Sequence, residues 1–165
     1  MNESGFKILI VDDDADLRAL LKESIRNWGF VADTAFNGDD ALTRIQSEHY
    51  DIIISDLMMP GMDGMTLLQR VKEKDKEILF IIITGYATIE TAVRAINIGA
   101  YDYIAKPFRL DELMVVIRNA CERLKLISQN KTLLEELKNV YSEITTLKGS
   151  LASVAAAQDD DKNND

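Results

Sequence analysis

Five short apolar runs punctuate the first 110 or so residues: KILIV (7–11), FVADT (30–34), DIIISD (51–56), LFIIIT (79–84) and YDYIA (101–105). Each is followed by a stretch whose apolar residues recur at the three- and four-residue spacing of an amphipathic helix. KILIV, DIIIS and LFIIIT are nearly continuous apolar segments, the pattern of strands buried on both faces of a parallel sheet. The helices are expected to begin near Asp14, Gly38, Gly64, Thr88 and Arg109. Repeated β-then-α units predict an α/β fold with helices on both sides of an open sheet and right-handed crossovers. Five units in this length give a flavodoxin-like (βα)5 arrangement. Its five-stranded parallel sheet has the order 2-1-3-4-5, with ligands expected at the carboxyl ends of the strands.

The pattern changes after Pro107. From Leu110 onward there is no Pro, and no Gly before Gly149, so the fifth helix lacks a stop signal. Leu126, Leu133, Val140, Leu147 and Val154 lie seven apart and suit d positions of a heptad. Asn130, Leu137, Ile144 and Leu151 suit a positions, with Glu143 at g and Lys148 at the following e. The spacing sustains about four heptads, enough for a coiled coil, and a single Asn at a commonly fixes a two-stranded parallel register. A long amphipathic helix folding back on its own domain is the alternative. The expected segments are a globular domain over 1–121, a helical coiled-coil extension over 122–155 and a disordered acidic tail over 156–165.

Charge and composition narrow the function. The 28 acidic residues outnumber 19 basic ones for a net charge of −9, and no basic stripe is present, which argues against direct nucleic-acid binding. One cysteine, Cys121, cannot form an intrachain disulfide, and with a single histidine, His49, a structural zinc site is disfavoured. The start, MNESGFKILIVDDD, has no basic segment, and its apolar run is too short for a signal peptide or a membrane span. No membrane association is expected, and the cytoplasm is the expected location.

Candidate chemistry collects at the predicted carboxyl ends of the strands. Asp12 and Asp13 follow KILIV, Asp56 follows DIIIS, Thr84 ends LFIIIT, and Lys106 follows YDYIA. Taken singly these are weak signals: Asp12–Asp14 also suit helix capping, and Asp14 is the expected cap of the first helix. Together, three carboxylates at one sheet edge repel unless a cation lies among them. Magnesium, a small hard cation, is the expected choice. A carboxylate beside magnesium is a nucleophile towards phosphorus, and such transfer is mostly positioning and charge neutralisation. Lys106 and the Thr84 hydroxyl are suited to hold phosphoryl oxygens.

The stretches KILIVDDD, DIIISDLMMPGMDG, IIITGYA and GAYDYIAKPF resemble the receiver domains of two-component response regulators over about residues 5–121. TIETAVRAINIGAYDYIAKPF is similar to receivers of the NtrC type. The resemblance implies that Asp56 is the phosphoacceptor. It makes Asp12, Asp13 and Asp56 the magnesium ligands, with the backbone carbonyl of Met58. Thr84 and Tyr103 would be a switch pair, and the Lys106–Pro107 bond would be cis. It further implies a sensor histidine kinase or phosphotransfer protein as donor, and a change of the surface formed by the fourth helix, fifth strand and fifth helix. No output module is visible after residue 121. The expected output is therefore control of homodimerisation, through the coil or that surface, or of partner binding. The alternative is a regulatory fragment of a longer transcription factor or enzyme. The chain itself is expected to be a switch and no enzyme: an aspartate-nucleophile phosphatase would need a second acid two residues after its nucleophile, where Met58 stands.

Overall fold

The computed structural model describes residues 5–162, with side chains described through residue 156. Among these residues five strands alternate with five helices. They are β1 (Lys7–Val11), α1 (Ala15–Asn27), β2 (Val31–Ala35), α2 (Gly38–Ser47), β3 (Ile52–Ser55), α3 (Gly64–Lys74), β4 (Leu79–Thr84), α4 (Ile89–Ile98), β5 (Asp102–Ala105) and α5 (Leu110–Lys162). All strand pairs are parallel, and the sheet order is β2-β1-β3-β4-β5, as the alternation predicts.

The strands that read as continuous apolar runs are the central ones. Every residue of β3 and β4 is buried, and β1 is buried from Ile8 onward. The edge strands β2 and β5 are only partly covered. On one face Leu9, Ile53 and Phe80 lie in register and pack with Ala41 and Ile45 of α2, Leu68 and Val71 of α3, and Ala95 of α4. The alternate residues Ile8, Ile10, Ile52, Ile54, Ile81 and Ile83 point to the opposite face. Buried helical side chains are also supplied by α1 (Leu21, Ile25), by Met65 and Leu67 of α3, and by α5 (Leu113, Ile117, Ala120, Cys121).

The helix starts follow capping chemistry. Asp14 accepts from the amides of Asp16 and Leu17, Asn37 from that of Asp40, and Asp63 from that of Thr66. Thr88 and Thr91 form a reciprocal capping box at α4. Each cap satisfies amides that the helix itself leaves without partners.

The chain divides into two units, residues up to Glu122 and residues from Arg123. In the second, helix α5 continues through Gly149, and Ser150 and Ser153 bond back to the carbonyls of Thr146 and Gly149. The residues of the expected seam, Leu126, Leu133, Leu137, Val140, Ile144, Leu147, Leu151 and Val154, are all exposed. Leu134 and Tyr141, at e positions, are exposed too and widen the apolar stripe. The helix is assigned to Lys162, into the segment 156–165 expected to be disordered. The side chains from residue 157 and the whole of 163–165 lie outside the described residues.

Gly64 opens α3 hard against the loop that follows β3. A Cβ there would lie 2.1 Å from the carbonyl oxygen of Asp56 and 2.9 Å from Cα of Leu57, both backbone atoms that cannot swing aside. Gly64→Ala is expected to destabilise the chain by about 1–3 kcal/mol, the cost of overpacking. Urea unfolding checks this, since the midpoint should fall with an unchanged slope.

Candidate functional site

The ladders of the sheet extend one residue beyond three of its strands and there fix the acidic edge. The Asp12 amide donates to the Ala35 carbonyl (3.3 Å), the Asp56 amide to that of Val11 (2.9 Å), and the Lys106 amide to that of Thr84 (2.8 Å). Asp12, Asp56 and Lys106 thereby leave β1, β3 and β5 at the same carboxyl-terminal rim. The side chains meet: Lys106 Nζ is 2.9 Å from Asp12 Oδ2 and 2.8 Å from Asp56 Oδ2.

Each carboxylate divides its oxygens in the same way. Asp12 Oδ1 accepts the Asp14 amide at 2.8 Å, and Asp56 Oδ1 accepts the Met58 amide at 3.2 Å, leaving each Oδ2 to Lys106. Asp12 is only 4% exposed, and Asp13, beside it, is exposed. One carboxylate oxygen from each of Asp12, Asp13 and Asp56 lies within 4.8 Å of the others. Burial alone would lower the pKa of Lys106, but the hydrogen bonds it donates to Asp56 and Asp12 outweigh that and hold the ammonium above its ordinary value. Three carboxylates against one lysine leave an excess of negative charge with hard oxygen donors, which fits a small divalent cation.

Thr84, fully buried at the end of β4, accepts the Tyr86 amide on Oγ1 at 3.1 Å. Tyr103 lies in register with Ile82, hence on the sheet face that Thr84 shares, and packs against the core. Its hydroxyl is 2.8 Å from Thr91 Oγ1 on α4. Met58 and Tyr86 are exposed near the site, by 53% and 69%. The Lys106–Pro107 bond is cis. Asp14 takes the capping role that Asp12 also suited, which leaves the Asp12 carboxylate to Asp14's amide and Lys106.

Two supporting residues are not foreshadowed by the motifs. Arg18 Nη1 donates to the Asp12 carbonyl at 2.5 Å and steadies that corner from α1. Thr91 meets Tyr103; the sequence sign of it is the Thr-x-x-Thr spacing at 88–91, which marks a capping box and nothing more.

The family model for the response regulator receiver domain matches residues 8–118. The chain is similar to the C4-dicarboxylate transport transcriptional regulatory protein DctD of Rhizobium meliloti, 37% identical over 126 residues, which cover 76% of this chain and 27% of that protein. It is 40% identical over 148 residues to a putative response regulator, NtrX-like, of Rickettsia typhi, covering 88% of this chain and 30% of the other. Among solved structures, NtrX from Brucella abortus superposes with a TM-score of 0.72 at 38% identity, over 77% of this chain and 29% of that one. The receiver domain of the Francisella response regulator 1452 gives a TM-score of 0.69 at 31% identity, over 72% of this chain and 98% of that one. The chain thus spans about a third or less of the length of the curated regulators it matches.

Replacing Lys106 by Met leaves Asp12 and Asp56 without their shared counter-charge. The expected cost in metal-free buffer is about 1–3 kcal/mol, that of stranding a buried polar group. Added magnesium should return part of it by linkage. Denaturation with and without magnesium checks both, and an unchanged midpoint in each condition would contradict the electrostatic account.

Proposed function

Because this chain belongs to the response regulator receiver domain family, we propose that Asp56 accepts a phosphoryl group from a sensor histidine kinase or phosphotransfer protein and that the domain switches in response. The observation that carries the reading is the rim itself, where one lysine bridges two carboxylates on neighbouring strands with a third carboxylate beside them.

Asp12, Asp13 and Asp56, with the Met58 carbonyl, would hold magnesium. When bound, that ion offsets the negative charge of the incoming phosphoryl group and the carboxylates. The chain's own residues do the rest. An Asp56 carboxylate oxygen forms the new bond to phosphorus. The bond from phosphorus to the donor's histidine nitrogen breaks, and the nitrogen keeps the electron pair. Lys106 leaves Asp12 and turns its ammonium to a phosphoryl oxygen. The buried Thr84 hydroxyl donates to another, giving up the amide of Tyr86. Tyr103 then moves towards the space left by Thr84, and the surface of α4, β5 and the receiver part of α5 changes with it. The state shifts only as far as the phosphoryl group favours one arrangement over the other.

As output we propose control of self-association or partner binding from the cytoplasm, without turnover of a substrate and without direct contact to nucleic acid. Among the described residues no helix is long and apolar enough to cross a membrane. The receiver would span 1–121 and the coil 122–155. The exposed row from Leu126 to Val154 supports a homodimer through a parallel coil in which Glu143 faces Lys148 of a second copy. The similarity to longer regulators supports a second reading, a regulatory segment acting on an output domain in the same polypeptide.

Incubation with acetyl phosphate and magnesium should add the mass of one phosphoryl group to the wild type and none to Asp56→Asn. Addition to both, or to neither, would sink the assignment. In sedimentation, the intact chain should be dimeric and a chain ending at residue 125 should show weaker self-association. Equal association constants would remove the coil from the account.

A further inference from the structure

We infer that Thr91, on the first turn of α4, is the positioning residue that ties Tyr103 of β5 to the amino terminus of that helix, and that this tether holds the phosphoryl-free arrangement. The inference deepens the phosphoacceptor reading above and rests on it.

The tether joins a hydroxyl that already serves the helix cap. A hydroxyl offers one proton and two lone pairs. Thr91 Oγ1 accepts the Thr88 amide at 3.1 Å, because an amide only donates. Within the cap the same oxygen also lies 3.1 Å from the Thr88 carbonyl and 3.0 Å from Thr88 Oγ1. The shortest contact of the set, 2.8 Å, is to the Tyr103 hydroxyl, and either hydroxyl can donate in it. Tyr103 thus adds to the cap of α4 from a different element, twelve residues along the chain.

The same cap lies downstream of Thr84. The Thr84 oxygen that receives the Tyr86 amide is the one a phosphoryl group would draw on, and the chain from Tyr86 leads directly to Thr88. The first turn of α4 is weakly held in place: the helix's buried Ala95 and partly buried Ile98 lie further along it, and Ile89 on the first turn is 85% exposed. A bond from Tyr103 is thus a large fraction of what fixes that turn. If phosphoryl binding takes Tyr103 away from Thr91, then removing the tether beforehand must strengthen phosphoryl binding, because coupling between two sites is reciprocal.

The test compares Tyr103→Phe, Thr91→Val, the double variant and Thr91→Ser in the full chain. Beryllofluoride with magnesium, titrated by calorimetry, serves as the phosphoryl mimic. Each of the first two substitutions should tighten its binding by about 3- to 10-fold, the scale of one net hydrogen bond. The double variant should bind no tighter than Thr91→Val alone, and Thr91→Ser should restore wild-type affinity. In the unliganded chain, Tyr103→Phe should speed hydrogen exchange of the Ala92 amide, which bonds to the Thr88 carbonyl, by a similar factor. Independent, multiplying effects of the two substitutions would overturn the tether, as would unchanged exchange or a serine variant that behaves like valine. A wild-type chain that fails to bind the mimic would instead overturn the phosphoacceptor reading, while the exchange rates still judge the tether without any ligand.

Discussion

Two carboxylates on adjacent parallel strands, Asp12 and Asp56, share one ammonium, that of Lys106 on the far edge strand. Much of the domain's layout serves this contact. The order β2-β1-β3-β4-β5 puts two strands' width between the carboxylate of β3 and the lysine of β5. A long flexible side chain is needed to close that gap. A short cation carrier at position 106 would leave the buried Asp12 and the partly buried Asp56 facing each other uncompensated, an arrangement that low-dielectric surroundings make expensive. The third carboxylate, Asp13, sits on the exposed side, so the cluster carries more negative charge than the one lysine offsets.

Rigidity at the rim comes from the backbone. Ladder bonds carry on past the ends of β1, β3 and β5, so Asp12, Asp56 and Lys106 are held by the same interactions that hold the sheet. The loop after Asp56 is held in its turn by the Gly64 amide on the Leu57 carbonyl at 2.8 Å, and no side chain larger than hydrogen fits at 64 without a shift. Such preorganisation is what the proposed phosphoryl transfer would require, since the carboxylate would be aimed before a donor arrives.

What the sequence made legible, and what it did not, follows the range of the interactions. KILIV and LFIIIT match β1 and β4 residue for residue, because strands covered on both faces must be apolar throughout. The run FVADT is offset by one from β2, Val31–Ala35. Gly29, with φ of 94°, turns the chain there, and the Phe30 amide bonds back to the Ile25 carbonyl, so this buried aromatic closes helix α1 and does not enter the strand. Asp12, Asp56, Thr84 and Lys106 were readable as candidates because each ends an apolar run, a local feature. The bond between Thr91 and Tyr103 was not, since it exists only once β5 lies beside α4, and nothing in the local sequence of either residue announces it. The apolar row of α5 was readable from its seven-residue period alone; Leu134 and Tyr141 broaden it in a way a strict a/d reading passes over.

Magnitudes decide which part of such a domain can move when one side chain is modified. Helix α3 buries Met65, Leu67, Leu68 and Val71, and at about 1.5–3 kcal/mol for each buried large apolar side chain it is anchored far beyond what one rearranged hydrogen bond can release. Helix α4 buries Ala95, packs Ile98 partly against the core at its far end and leaves Ile89, Val93 and Ile96 exposed, so the hold on its first turn is of the same order as the bonds around Thr88, Thr91 and Tyr103. A net hydrogen bond contributes only about 0.5–1.5 kcal/mol. That is negligible against α3 and decisive for the first turn of α4. In the switch proposed above, a change at one carboxylate would therefore travel outward where the packing is thin. The thin place is the β4–α4 junction, which begins at the buried hydroxyl of Thr84 and ends on an exposed apolar helix face.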